Sequence, residues 1–484
     1  MKMNRRTFLG TALAAGGALA GGRVLWRTLL AEESEALPIP ELIDASLREQ
    51  PVTLEAMQGH SEFFPGQLSP TLGYNGSYLG PTICVRRGSD VQISVVNSLD
   101  EPTTVHWHGL LIPGELDGGP HQMLEPGQTW QPLLPIRQPA ATLWYHSHVH
   151  GRTARQVYAG LAGLFLVTDD EEKSLGLPTE YGVDDLPLVL QDREFEDGRL
   201  MIPRGMMTAM HGRRGGNLMV NGKPNPSAKV PGKLVRLRLV NGANARSFNV
   251  SFSDQRSFHW IASDGGLLEK SLELDSLQIA PGERAEILVD FSDGRPVALE
   301  TGPDRTAPMM GMIARAGDLI GVGGGTLVRF EPQNKIESRA EIPERLSTLW
   351  RPKVSEAVRR RRFTMTMGMG MMGYRSGMLG INGRAFDMRR IDEEVRLGDV
   401  EIWEIHSEMM AHPFHIHGVH FEVLSRNGGL PGPLDAGLKD TVLVDGSVEL
   451  LVKFTQPARA APFMYHCHIL EHEDNGMMGQ FTVS

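Results

Sequence analysis

The sequence predicts an all-β protein built from several β-sandwiches, and three observations predict it. Many short apolar runs sit between turn signals; the chain carries 55 Gly and 31 Pro; and only 6% of residues are aromatic. That combination suits sandwiches better than helix bundles. At 484 residues the chain is also too long for one ordinary domain, and about two to four are expected.

The N-terminus reads as a targeting segment. Asn4-Arg5-Arg6-Thr7-Phe8-Leu9 is a twin-arginine pattern, followed by an apolar Ala/Gly-rich stretch to about Ala20 that is too short to span a membrane. Residues 1–31 are therefore expected to be a signal peptide, with export of the folded chain through the twin-arginine translocation machinery to the periplasm. The net charge of -10 argues against a nucleic-acid partner. The basic run Arg359 to Arg362 reads as a solvated turn. Two cysteines are too few for a disulfide framework; Cys84 reads as a small buried hydrophobe on a strand.

Three strand-rich segments follow the leader: 45–170, 186–331 and 363–484. The first has turn signals at Pro65-Gly66, Asn75-Gly76 and Asp117-Gly118-Gly119. An acidic linker is expected from Asp169 to Lys173, and a second, polar one from about Glu331 to Arg362. The middle segment is poor in His. The outer two share an order of features: Leu79-Gly-Pro-Thr-Ile, strand, His-x-His early, and Ile381-Asn-Gly-Arg-Ala-Phe, strands, His-x-His late. The middle one has Val220-Asn-Gly-Lys. Three sandwiches of one type is the economical reading.

Ten of the 17 histidines fall into four clusters: His106-Trp-His108, His146-Ser-His148, His412-Pro-Phe-His415-Ile-His417, and His466-Cys-His468 with His472. Side chains alternate along a strand, so residues i and i+2 emerge on one face with backbones about 6–7 Å apart. Two imidazoles can then each hold a different metal of a cluster, and neutral imidazole suits copper. One His-x-His is consistent with a polar strand face. Four in one chain are not. Two motifs lie near each end, so a single cluster requires the first and third sandwiches to meet, and bound metal would staple them together.

Cys467 sets the chemistry. Lying between His466 and His468, it points its sulfur to the opposite face of the strand. His472 follows five residues on and Met477 five further, with His412 upstream. Cys, two His and an axial Met form the ligand set of a blue-copper electron-transfer site. One strand would thus wire an electron-accepting centre to a histidine cluster.

His106-Trp-His108-Gly, Trp144-Tyr-His-Ser-His148, His412-Pro-Phe-His-Ile-His-Gly418 and His466-Cys-His-Ile-Leu-Glu-His-Glu-Asp-Asn-Gly-Met-Met478 resemble the four copper motifs of the three-domain multicopper oxidases, most closely the bacterial cuprous oxidases. The similarity spans nearly all of the chain after the leader. It implies three cupredoxin-like Greek-key sandwiches and four copper ions: a type 1 copper on His412, Cys467, His472 and Met477; a type 2 copper on His106 and His415; and a type 3 pair on His108, His146, His148, His417, His466 and His468. It further implies a monomer that oxidises Cu(I) or a phenol and reduces O2 to water.

Reducing O2 to water consumes four protons, and two carboxylates match the acidic positions of that family: Asp117, in Gly114-Glu-Leu-Asp-Gly-Gly-Pro120, and Glu473. Each is expected to relay protons, although Asp117 also suits a turn before Gly118. Met365, Met367, Met369, Met371, Met372 and Met378 crowd one segment, and Met409-Met410 precede His412. Thioethers favour Cu(I), and the resemblance puts a substrate Cu(I) site on Met367, Glu408 and Met410. Met372 stands where the family has a second acidic ligand, and the Met-rich insert is short. A type 1 site open to bulky phenols is expected. Competing readings are a laccase-like oxidase of organic reductants, a copper-free scaffold and a copper nitrite reductase. The complete ligand set disfavours the last two.

Overall fold

The structure is a computed structural model that describes residues 35–47, 50–306, 323–335, 342–368 and 379–484. The expected signal peptide, together with Met369, Met371, Met372 and Met378, lies outside these residues. Among the described residues, six sheets form three pairs, each pair closing over one apolar core.

In the first pair, one sheet runs in the order Leu42–Asp44, Thr82–Arg86, Ala162–Thr168, Ala141–His146, His106–His108; the other is built on Gln67–Tyr74, Val52–Phe64 and Asp90–Asn97. Ile83, Leu143 and Phe165 of the former meet Leu54, Ile93 and Val95 of the latter. The second pair interleaves Leu188, Leu237 and Ile287 with Val250, Leu299 and Val328. In the third, Phe414, Tyr465 and Phe481 pack on Phe363, Trp403 and Leu450. Burying each such side chain stabilises by about 1.5–3 kcal/mol. Alternation explains the pattern: at the start of Val52–Phe64, Val52, Leu54 and Ala56 are buried while Thr53, Glu55 and Met57 between and after them are not.

Turn chemistry agrees with the sequence. Gly66, at φ 75°, closes the hairpin between Val52–Phe64 and Gln67–Tyr74, and Asn75 sits at φ 56°.

Two local expectations are corrected. Asp169 caps helix α2 (Asp170–Ser174, after α1, Thr153–Ala159) by accepting from Glu172 N. Glu172 is buried, and Arg236 Nη2 donates to it at 2.6 Å, so this acidic stretch is packed against the second sandwich. Arg359 to Arg362 lie on the strand Ala357–Met367, not in a turn. Cross-strand pairing explains it: Arg361 Nε donates to Glu401 Oε2 at 2.6 Å, and Arg360 pairs with Glu449. Cys84 is on a strand as expected, but half-buried; both cysteines are free. Two further helices are α3 (Met206–His211) in the second sandwich and α4 (Leu470–Asp474) in the third.

Candidate metal centres

The expected meeting of the two ends of the chain is present. His106–His108 pairs antiparallel with Ala141–His146, placing His106 opposite His146. In the third sandwich His415 is opposite His466 and Phe414 opposite Cys467. Rings from the two sandwiches then stack: His106 on His417 with centroids 3.9 Å apart, and His108 on His415 at 3.7 Å. His148 Nε2 and His417 Nε2 lie 3.2 and 3.1 Å from His466 Nε2. His468 lies 5.1 Å from His108 and 5.6 Å from His146, centroid to centroid. All eight of these imidazoles are buried.

Which ring nitrogen faces inward follows from the hydrogen bonds of the other. His106 Nδ1 donates to Asp117 O at 3.0 Å, His146 Nδ1 to Ser147 O at 2.9 Å, His415 Nδ1 to Asp440 O at 2.8 Å and His466 Nδ1 to Cys467 O at 3.0 Å. His417 Nδ1 donates to Asp117 Oδ2 at 2.8 Å, and His108 Nε2 to Asp440 Oδ1 at 3.0 Å. These bonds fix the proton outside and turn a lone pair inward. The inward nitrogens His106 Nε2, His108 Nδ1, His146 Nε2 and His415 Nε2 have no partner among the described residues. A buried polar atom left so costs about 1–3 kcal/mol, and lone pairs set 3.1–3.2 Å apart repel. Both costs vanish when cations occupy the space. Burial, reinforced by neighbouring imidazoles, holds His146, His148, His417, His466 and His468 well below the ordinary histidine range, so the rings are neutral and able to ligate. These residues fit copper.

Cys467 lies on the other face of its strand, as expected. Ligand atoms of His412, Cys467 and His472 lie within 4.8 Å of one another. Cys467 Sγ is 3.7 Å from His472 Nδ1 and accepts from Ile469 N at 3.3 Å. His412 Nδ1 donates to Ser407 Oγ at 2.9 Å, leaving Nε2 unpartnered; burial pushes this imidazole down to about 4. Met477 is buried beside the centre, its N–H donating to His472 O at 2.9 Å. Burial pushes the Cys467 thiol up, so with no cation it is neutral.

The two expected carboxylates sit against the cluster. Asp117 Oδ2 is 3.3 Å from His106 Nδ1 as well as 2.8 Å from His417 Nδ1. The turn carrying it requires glycine: Gly118 has φ 79°, and a Cβ there would lie 1.7 Å from Val105 O. Glu473 is buried, with Oε1 3.3 Å from His148 Nδ1 and Oε2 3.4 Å from His466 Nδ1. Burial, then Asp474 and Glu471, push its carboxyl well above the usual range. A third carboxylate, Asp440, was not anticipated. It touches His108 and, through its backbone, His415; burial raises its carboxyl, but Arg284 and His108 outweigh burial and hold it well below the usual range.

Of the expected substrate residues, Met367 and Met410 belong to one buried cluster and Glu408 is exposed. The open type 1 site is not found at His472, which is buried with Nε2 donating to Met210 O of α3 at 3.1 Å. The cover comes from α3 of the second sandwich, the segment poor in histidine.

Multicopper oxidase family profiles match residues 56–172, 188–297 and 354–484. The chain belongs to the multicopper oxidases, a family of copper-dependent oxidoreductases. It is 39% identical to the cell division protein FtsP of Rahnella sp. and of Escherichia coli, over 100% of this chain and 99% of each of those. Among solved structures it resembles CueO, a laccase-like multicopper oxidase of Ochrobactrum sp. (43% identity, TM-score 0.84, 93% of this chain and 100% of that one). It also resembles McoA of Aquifex aeolicus (32%, TM-score 0.83, 93% and 100%).

Proposed function

We propose that the protein oxidises Cu(I) one electron at a time and reduces O2 to water, as an exported monomer of the periplasm. His412, Cys467, His472 and Met477 hold the type 1 copper, His106 and His415 the type 2 copper, and the other six cluster histidines the type 3 pair. Bound copper would supply the redox chemistry: acceptance of single electrons at the Cys467 centre and four-electron reduction of O2 at the histidine cluster. Asp117 and Glu473 relay protons beside the imidazoles, and Met367, Glu408 and Met410 receive substrate Cu(I). The carrying observation is the set of inward-facing, partnerless nitrogens of His106, His108, His146 and His415, each on a ring whose other nitrogen is hydrogen-bonded.

Copper content and a spectrum test this. Four coppers per chain and an intense band near ~600 nm from the thiolate centre, with O2 uptake driven by Cu(I), are expected. A chain without bound copper would be no oxidase.

Two observations favour other readings. The laccase-like Ochrobactrum CueO supports an organic donor, and Cu(I) and phenol kinetics run side by side separate the two. The full-length similarity to FtsP supports a part in cell division; a deletion strain rescued equally by wild type and Cys467→Ser would favour that role over oxidation.

A further inference from the structure

We propose that helix α3 of the second sandwich carries a Cu(I)-receiving site, made by the thioethers of Met206 and Met207 with the His211 imidazole, over the Cys467 centre. It rests on the oxidase reading and deepens it, because it lies on a different sandwich from Met367, Glu408 and Met410.

Placement is the first ground. His472 donates Nε2–H to Met210 O at 3.1 Å, while its Nδ1 lies 3.7 Å from Cys467 Sγ. The imidazole therefore bridges the sulfur and the α3 backbone, and one hydrogen bond separates the helix from the electron-accepting centre.

Side-chain chemistry is the second. Met206 is 55% exposed and Met207 63%. Methionine ordinarily fills irregular gaps in cores, and neither residue fills one. Met207 and His211 are four residues apart and so neighbours on the helix surface, while Met210 packs against the core of the third sandwich and anchors the helix. His211 Nδ1 is buried and has no hydrogen-bond partner among the described residues. Thioether and imidazole together select Cu(I) over harder cations.

Charge does not oppose the site. Arg213 is paired with Glu471 at 2.6 Å and Arg214 with Asp304 at 2.8 Å, so both adjoining cations are neutralised. Each Cu(I) received gives up one electron and leaves as Cu(II). Four of them, with four protons, balance the conversion of one O2 to two waters.

The test is the copper-loaded protein carrying Met206→Leu with Met207→Leu, a change that keeps apolar volume and helix propensity. Fully reduced protein under argon is titrated with Cu(I) against a chromophoric Cu(I) chelator. Wild type is expected to retain at least one Cu(I) more than the double variant, and the variant's KM for Cu(I) to rise about tenfold with the ~600 nm band unchanged. Equal Cu(I) retention by the two proteins would reduce α3 to a cover over His472 and overturn the proposal. Failure of the underlying reading looks different: wild type would then retain Cu(I) but show no Cu(I)-driven O2 uptake.

Discussion

Arg284 Nη1 donates to Asp440 Oδ1 at 2.7 Å, and the same carboxylate oxygen accepts from His108 Nε2 at 3.0 Å. The three residues come from the second, third and first sandwiches, and all are buried. Removing one partner of a buried ion pair leaves an uncompensated charge and costs about 3–5 kcal/mol. Arg284→Met should therefore lower unfolding free energy by that amount in urea. It should also release His108, so that copper is lost from the histidine cluster while the ~600 nm band persists. Full copper content with unchanged stability would show that the triad does not hold the sandwiches in register.

Asp117 touches two cluster histidines from the rear. In Asp117→Asn one oxygen remains to accept from His417 Nδ1, 2.8 Å away in the parent, but the ionisable group is gone. O2 uptake should fall by about 10²–10⁴-fold, the usual worth of a positioned acid or base, with visible absorption intact. Unchanged turnover would remove Asp117 from proton delivery.

Glu286 gives a pH signature. Burial pushes its carboxyl up, but Arg236 and Arg238 outweigh burial and hold it at about 2, against an ordinary 4.5. Because the folded value is depressed, the unfolded chain binds the extra proton. The contribution, about 3 kcal/mol, is fully present above the ordinary value and lost as pH falls through 4.5 toward 2. The stability gap between wild type and Glu286→Gln, measured by denaturation, should close over that window. A gap constant from pH 7 to 2 would contradict the assigned pairing.

Copper removal should soften the whole molecule. Ligand bound only by the folded state stabilises it by about 4 kcal/mol at a thousandfold excess over Kd, and the lone pairs of His148, His417 and His466 stop repelling. The thermal midpoint of stripped protein should rise on copper addition. A midpoint indifferent to copper would mean these nitrogens meet no metal.

Much of the site was readable because it obeys a local rule. His106 and His108 share a face, and Cys467 turns away from His466, through strand alternation alone. Asp440 obeys no such rule: it lies 332 residues from His108, and only the folded chain brings them together. Arg361 looked like part of a solvated turn because its partners Glu393 and Glu401 come from separate strands. The cover over His472 escaped notice for a similar reason, since nothing around Met210 signals a backbone carbonyl aimed at a ligand 262 residues away. The sandwiches themselves were legible from alternation and turns, whereas the packing of Glu172 in the supposed linker depended on Arg236.

Helix α4 is five residues long, yet it presents His472 to one centre and Glu473 to the other. Its first turn is tied down by Ile469 O, which accepts from both His472 N and Glu473 N. The helix is a lever with no slack. A displacement of His472 is therefore felt at once by Glu473, the carboxylate behind the cluster.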